Sequence, residues 1–254
     1  MTAYRVTQAL AALLLVPAAT SAEDFRVETD VFVGEARQPV AETLTLFSGA
    51  VVYDFVLTDP KEMTVLDFQL GRIFLLNPES KIKSSVSTEE LLSFTAAIRA
   101  RAQNDKKKQL FGTEFTGDLN KESGEVLLEG ENLSYRASGK LPKFSVATKK
   151  YRDFADWYAR LNAARPGNPP PFGRIELNRR LFDGGLVPVE IVRSLRLLGE
   201  RRVVKSRHVF TWLLSSTDVK RIDVAGQAME TYEDVSLPKY WGLDSAPDPR
   251  NGDR

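Results

Sequence analysis

The chain has 254 residues, with 35 basic and 34 acidic side chains, 43% hydrophobic residues, one histidine and no cysteine. Zinc-thiolate sites, thiol catalysis, disulfide staples and multi-histidine metal centres are thereby excluded. The near-neutral charge argues against a nucleic-acid or anionic-membrane partner, because either favours a basic surface, while the apolar content is sufficient for a large core.

Arg5 precedes an apolar run from Ala9 to Val16, Pro17 breaks that run, and the small residues from Ala18 to Ala22 lead into Glu23 and Asp24. A positive start, a short apolar run and a small-residue cut site predict a secretory signal peptide over 1–22, cleaved near Ala22. A spanning helix needs about 20 apolar residues, and this run is far shorter. The expected location is therefore the periplasm or the medium. No cysteine stands near the cut to carry a lipid, so the expected mature protein is soluble and not membrane-spanning.

Residues 23–244 are expected to form a single domain. Phe25, Val27, Thr29, Val31 and Val33 alternate as a strand does. Runs of the same kind follow at Glu42–Phe47, Ala50–Leu57, Glu62–Gln69, Arg72–Leu76 and Lys81–Val86, separated by turns of two to four residues, which favours antiparallel hairpins. Ser87 and Glu90 have capping-box spacing ahead of a helix ending near Asn104, with Leu91, Phe94, Ile98 and Ala102 on one face. Lys106, Lys107 and Lys108 read as a solvated turn. Strands return between Gln109 and Thr148. Lys150–Ala164 reads as a helix with a buried stripe of Phe154, Trp157, Tyr158 and Leu161.

The proline-rich segment at 166–171 cannot be regular structure and is expected to be an exposed loop or a linker. A short helix at Gly173–Leu181 and a long hairpin, Val189–Leu198 with Arg202–Leu214, come next. Thr217 or Asp218 offers an N-cap for a helix running to about Met229, and the tail at 245–254 is expected to be disordered. Strands thus come in hairpins with helices between groups of them. The predicted class is α+β, on a curved, mostly antiparallel sheet with covering helices.

Chemical motifs are scarce. His208 shares a strand face with Val204, Ser206, Phe210 and Trp212, and reads more readily as a structural histidine than as a general base. Ser80–Lys83 matches S-x-x-K by letter but lacks the companion motifs. Asp54, Asp67, Glu114, Asp118 and Glu176 could supply a carboxylate pair for glycoside hydrolysis, although no pattern marks any two of them. Phosphate-cradling glycine motifs and a calcium-loop pattern are missing from the sequence, and no cofactor is expected. The stretches Val51–Leu57 and Arg72–Leu76 are apolar on both faces, so either protein covers both faces or one face lines a hydrophobic cavity. Alternation nominates Val52, Phe55, Phe74, Phe210 and Trp212 as cavity residues.

Three segments carry a resemblance: AVVYDFVLTDPKEMT (Ala50–Thr64), VLDFQLGRIFLLNPESKIKSS (Val65–Ser85) and GLVPVEIVRSL (Gly185–Leu195). Their rhythm of strand, tight turn and strand is similar to that of the periplasmic lipoprotein carriers and of other exported bacterial proteins built on the same half-barrel. The resemblance implies a curved antiparallel half-barrel closed by helices, with a lipid or lipoprotein as partner. It transfers no individual site residue. The expected function is a non-enzymatic envelope protein that binds or carries a lipid or other apolar ligand. The alternatives are an envelope interaction or structural protein without a ligand, and a hydrolase using His208 or a carboxylate pair.

Overall fold

The computed structural model describes residues 23–104, 113–197 and 199–243. The predicted signal peptide, the lysine run at 106–108 and the tail from 245 lie outside them. The first six strands, β1 (Phe25–Val33), β2 (Ala41–Ser48), β3 (Val51–Val56), β4 (Met63–Asp67), β5 (Arg72–Asn77) and β6 (Ile82–Ser87), form the antiparallel meander expected from their short turns. The β2–β3 turn requires Gly49, whose φ of 59° lies in the left-handed region that favours glycine.

Helix α1 (Thr88–Asn104) opens on the expected capping box: the Glu90 amide donates to Ser87 Oγ at 3.1 Å, and the Ser87 amide donates to Glu90 Oε2 at 2.7 Å. Its packed face is Leu91, Thr95 and Ile98. Phe94, expected on that face, is 39% exposed. Thr95 takes the inner position instead, and its hydroxyl is satisfied by the Leu91 carbonyl.

Strands β7 (Leu119–Asn120), β8 (Glu125–Glu129) and β9 (Leu133–Lys140) follow, then helices α2 (Val146–Ala164) and α3 (Phe172–Asp183) on either side of the proline loop. Strands β10 (Val187–Leu197) and β11 (Glu200–Thr211) make the long hairpin. Helix α4 (Ser216–Thr231) starts two or three residues earlier than the predicted caps suggest. Ser215 is its N-cap, and Asp218 is the reciprocal partner in a second capping box. A short β12 (Glu233–Asp234) and helix α5 (Leu237–Tyr240), neither anticipated from sequence, complete the described chain.

All twelve strands among the described residues belong to one sheet, in the order β12-β6-β5-β4-β3-β2-β1-β11-β10-β9-β8-β7. Only the β12–β6 pair is parallel, and the sheet does not close on itself. The fold is therefore α+β on a large, mostly antiparallel sheet. Strand β1 joins the two halves by pairing with β2 on one side and β11 on the other.

Both faces of the first meander are covered, which explains its two-sided apolarity. On the inner face Phe25, Phe47, Val52, Leu66 and Ile73 pack with Leu91 of α1 and with Tyr151, Phe154 and Leu161 of α2. On the outer face Leu44, Leu46, Phe55, Met63, Val65 and Leu76 pack with Ala225 and Ala228 of α4. Helix α4 is also tethered electrostatically: Arg26 of β1 donates to Asp218 at 3.1 Å. Farther along the sheet, α3 places Leu177 and Leu181 against Val126, Leu128, Tyr135 and Ile191. Among the described residues no helix is long and apolar enough to cross a membrane.

Candidate functional site

The inner face of the sheet changes character along its strands. On β1 the inward positions run Phe25, Val27, Thr29, Val31; on β2 they run Phe47, Thr45, Thr43; on β3, Val52 then Asp54. On β11 they run Phe210, His208, Ser206, Val204, with Trp212 just past the strand's end. Because side chains alternate strictly along a strand, each sequence delivers an apolar half and a hydroxyl-bearing half to the same face. The apolar halves make the core. The polar halves floor a cavity of about 430 Å³, within the range of small-molecule sites.

Helix α2 roofs this cavity with Tyr151, Phe154, Ala155, Tyr158, Ala159 and Asn162, a stripe at three- and four-residue spacing that one helical face must present. The proline segment, which the sequence leaves as a loop or linker, forms part of the wall through Pro169, Pro170 and Pro171. Arg174 of α3, Arg193 of β10 and Tyr135 of β9 complete one end.

Most polar groups in the cavity satisfy one another. Thr45 Oγ1 donates to Asp54 Oδ1 at 2.6 Å, and Tyr158 lines the cavity with that carboxyl. Burial nevertheless raises the Asp54 carboxyl to about 6, since desolvation outweighs the hydrogen bonding that favours the charge. His208 Nδ1 lies 3.0 Å from Thr29 Oγ1, and its Nε2 lies 3.0 Å from Ser206 Oγ. The ring sits edge-on to Tyr151, with centroids 6.1 Å apart. Burial, helped by the Arg174 charge, depresses the imidazole to about 3. His208 is thus neutral at physiological pH and a poor proton acceptor for Ser206, since an efficient base titrates near the working pH.

The arginines are held differently. Asp156 of α2 accepts from Asn178 Nδ2 at 2.7 Å, and Asn178 Oδ1 accepts from Arg174 Nε at 2.9 Å. This relay fixes the guanidinium without a direct carboxylate contact. Arg193 stands opposite Tyr135 in the β10–β9 register.

The residues nominated from sequence lie elsewhere. Val52 and Phe210 are in the inner core and Trp212 packs against it, with Phe210 and Trp212 ring centroids 5.5 Å apart. Phe55 is buried in the outer core and Phe74 packs against it. Among the five acids, only Asp54 lines the cavity. Asp67 caps the turn at Gln69 and Leu70, Asp118 and Glu176 share Arg180, and Glu114 is exposed. The signal that sequence reasoning missed was the polar residue at an inward strand position: Thr29, Thr43, Thr45 and Asp54 follow apolar residues of the same face.

Among the described residues no group of His, Asp or Glu side chains could hold a metal ion. No protein-family model matches the chain, and no curated protein matches it.

Proposed function

We propose that this chain is an exported, non-enzymatic binding protein of the cell envelope that holds a lipid or other amphipathic ligand in the cavity under α2. The observation that carries this reading is the cavity itself: tyrosines and prolines form its walls, and its hydroxyls, imidazole and carboxyl are hydrogen-bonded mainly to each other. Such a surface presents little unsatisfied polarity to an apolar body, so burying that body leaves few groups stranded. The neutral, doubly hydrogen-bonded His208 favours binding over hydrolysis. The reading also takes the sheet as a half-barrel like that of the periplasmic lipoprotein carriers, and takes 1–22 as the export signal. The antiparallel strand order, with α2 and α3 on the inner face, supports that comparison.

The test is native mass spectrometry of the protein purified from its own host, followed by uptake of a fluorescent fatty acid. A co-purifying lipid-sized mass and saturable uptake are expected. A clean apo mass with no uptake sinks the reading and leaves an envelope structural protein.

A further inference from the structure

Across the sheet, the cavity spans β3, β2, β1, β11, β10 and β9, and its two ends differ in charge. Asp54 on β3 is the single carboxylate in the lining. Arg174 and Arg193 are its two cations, both toward β9 and β10. Five strand steps separate β3 from β9, about 24 Å along a flat sheet at the usual spacing and less along a bent one. The cavity is therefore long, with a cationic end.

That end has spare hydrogen-bonding capacity. A guanidinium carries five N–H donors in a rigid fork. Arg174 uses Nε on Asn178 and one terminal nitrogen on Tyr151 at 3.5 Å, and Arg193 faces Tyr135 across the β10–β9 ladder. Neither arginine forms a salt bridge among the described residues. The neighbouring Glu176 turns away to Arg179 and Arg180. Both arginines line the cavity together with Tyr135. Other partly buried arginines of the protein are paired with acids, Arg26 with Asp218 and Arg165 with Glu62. Two arginines without a carboxylate partner lining one cavity suit a planar or tetrahedral oxyanion, which such forks bind in bidentate fashion.

We propose that Arg174 and Arg193 bind the carboxylate or phosphate head of an amphiphile whose apolar body runs under α2 toward β3. This rests on the cavity being a ligand site, and adds the polarity and orientation of the ligand. Tyr135 supplies a third donor, and the Asp156–Asn178 relay keeps Arg174 from collapsing onto an acid. The body meets Val31, Val204, Ile191, Phe154 and the proline wall.

The test is calorimetric titration of the delipidated, full mature protein with decanoate, decyl phosphate, decanol, decyltrimethylammonium and inorganic phosphate, all below their micelle concentrations. Decanoate or decyl phosphate should bind at least tenfold more tightly than decanol, with the cationic probe weakest. Arg174→Gln and Arg193→Gln should each remove that advantage, with far-UV circular dichroism and the melting temperature showing that the variants fold. Equal affinity for decanol and the anionic probes overturns the anion site but spares the binding reading. No binding of any ten-carbon probe overturns both. Inorganic phosphate binding as tightly as decyl phosphate overturns the amphiphile and identifies a free-anion site. The wild-type comparison decides the charge preference even if a variant unfolds.

Discussion

Thr45 and Asp54 face each other across the β2–β3 ladder, 2.6 Å apart from hydroxyl to carboxyl oxygen, and both are at most 4% exposed. Burial raises the folded-state carboxyl from 3.8 to about 6. A raised carboxyl makes folding most favourable below pH 3.8 and imposes a cost that grows as pH climbs to about 6 and is constant above it. Two pH units correspond to about 3 kcal/mol. Asp54→Asn keeps an acceptor for Thr45 and has no charge to bury. Urea denaturation should show the variant gaining on wild type between pH 4 and 6.5, by an amount approaching about 3 kcal/mol at neutrality. A stability difference that does not change with pH would contradict the burial argument.

His208 predicts the opposite slope. Its folded-state value is depressed from 6.5 to about 3, mainly by burial and then by Arg174. The neutral ring is favoured in the fold, so its contribution is fully present above pH 6.5 and is lost as pH falls toward 3. In His208→Gln that loss disappears. Relative to the variant, wild type should weaken by about 1 kcal/mol for each pH unit between 6 and 4. Thermal unfolding across that range, done beside Asp54→Asn, checks the sign: one substitution steepens the rise of stability with pH and the other flattens it.

Ser215 predicts a local loss with a distant signature. Its hydroxyl accepts from the Asp218 amide at 3.1 Å and donates to Asp218 Oδ2 at 2.7 Å, while Oδ1 of the same carboxylate receives Arg26 from β1. Ser215→Ala removes the cap and loosens the carboxylate that ties α4 to the sheet. Loss of an N-cap costs about 1 kcal/mol. Amide exchange should accelerate in the first turn of α4 and around Arg26 together. Acceleration confined to α4 would show that the tether does not depend on the cap.

Much of this architecture is legible in the sequence because it depends on local rules. The alternation in β1, the tight turn at Gly49 and the Ser87–Glu90 box each act over a few residues, and the strands and helix appear where those rules place them. What depends on distant partners was not legible. Phe94 lies at helical spacing from Leu91, yet the sheet offers it no surface and Thr95 packs instead. Strand β12 exists only because Glu233 and Asp234 meet β6, some 150 residues upstream. The nominated cavity residues were the most apolar ones, and tight packing consumes such residues first. The cavity lies where Thr29, Thr43 and Asp54 interrupt an apolar face, and only the arrival of α2 and the proline loop gives that interruption walls.

Gly173 and Gly226 make a matched pair of glycines in helices, and the same substitution should move them in opposite directions. In an open helical position Gly→Ala gains up to about 1 kcal/mol, because alanine loses less backbone freedom on folding. Gly226, inside α4, has nothing within 4 Å of where a Cβ would stand, so Gly226→Ala should raise the melting temperature. At Gly173, in the first turn of α3, the new methyl would lie 2.7 Å from Phe115 Cζ and 2.8 Å from Tyr135 Cε2, closer than any relaxed contact. Overpacking of this kind costs about 1–3 kcal/mol, which exceeds the propensity gain. Tyr135 must then shift, and it lines the cavity opposite Arg193 on the β10–β9 ladder. Gly173→Ala should therefore lower both the melting temperature and the affinity for decanoate, whereas Gly226→Ala should leave the affinity unchanged. If Gly173→Ala melts lower but binds decanoate as wild type does, Tyr135 has no part in holding the head group.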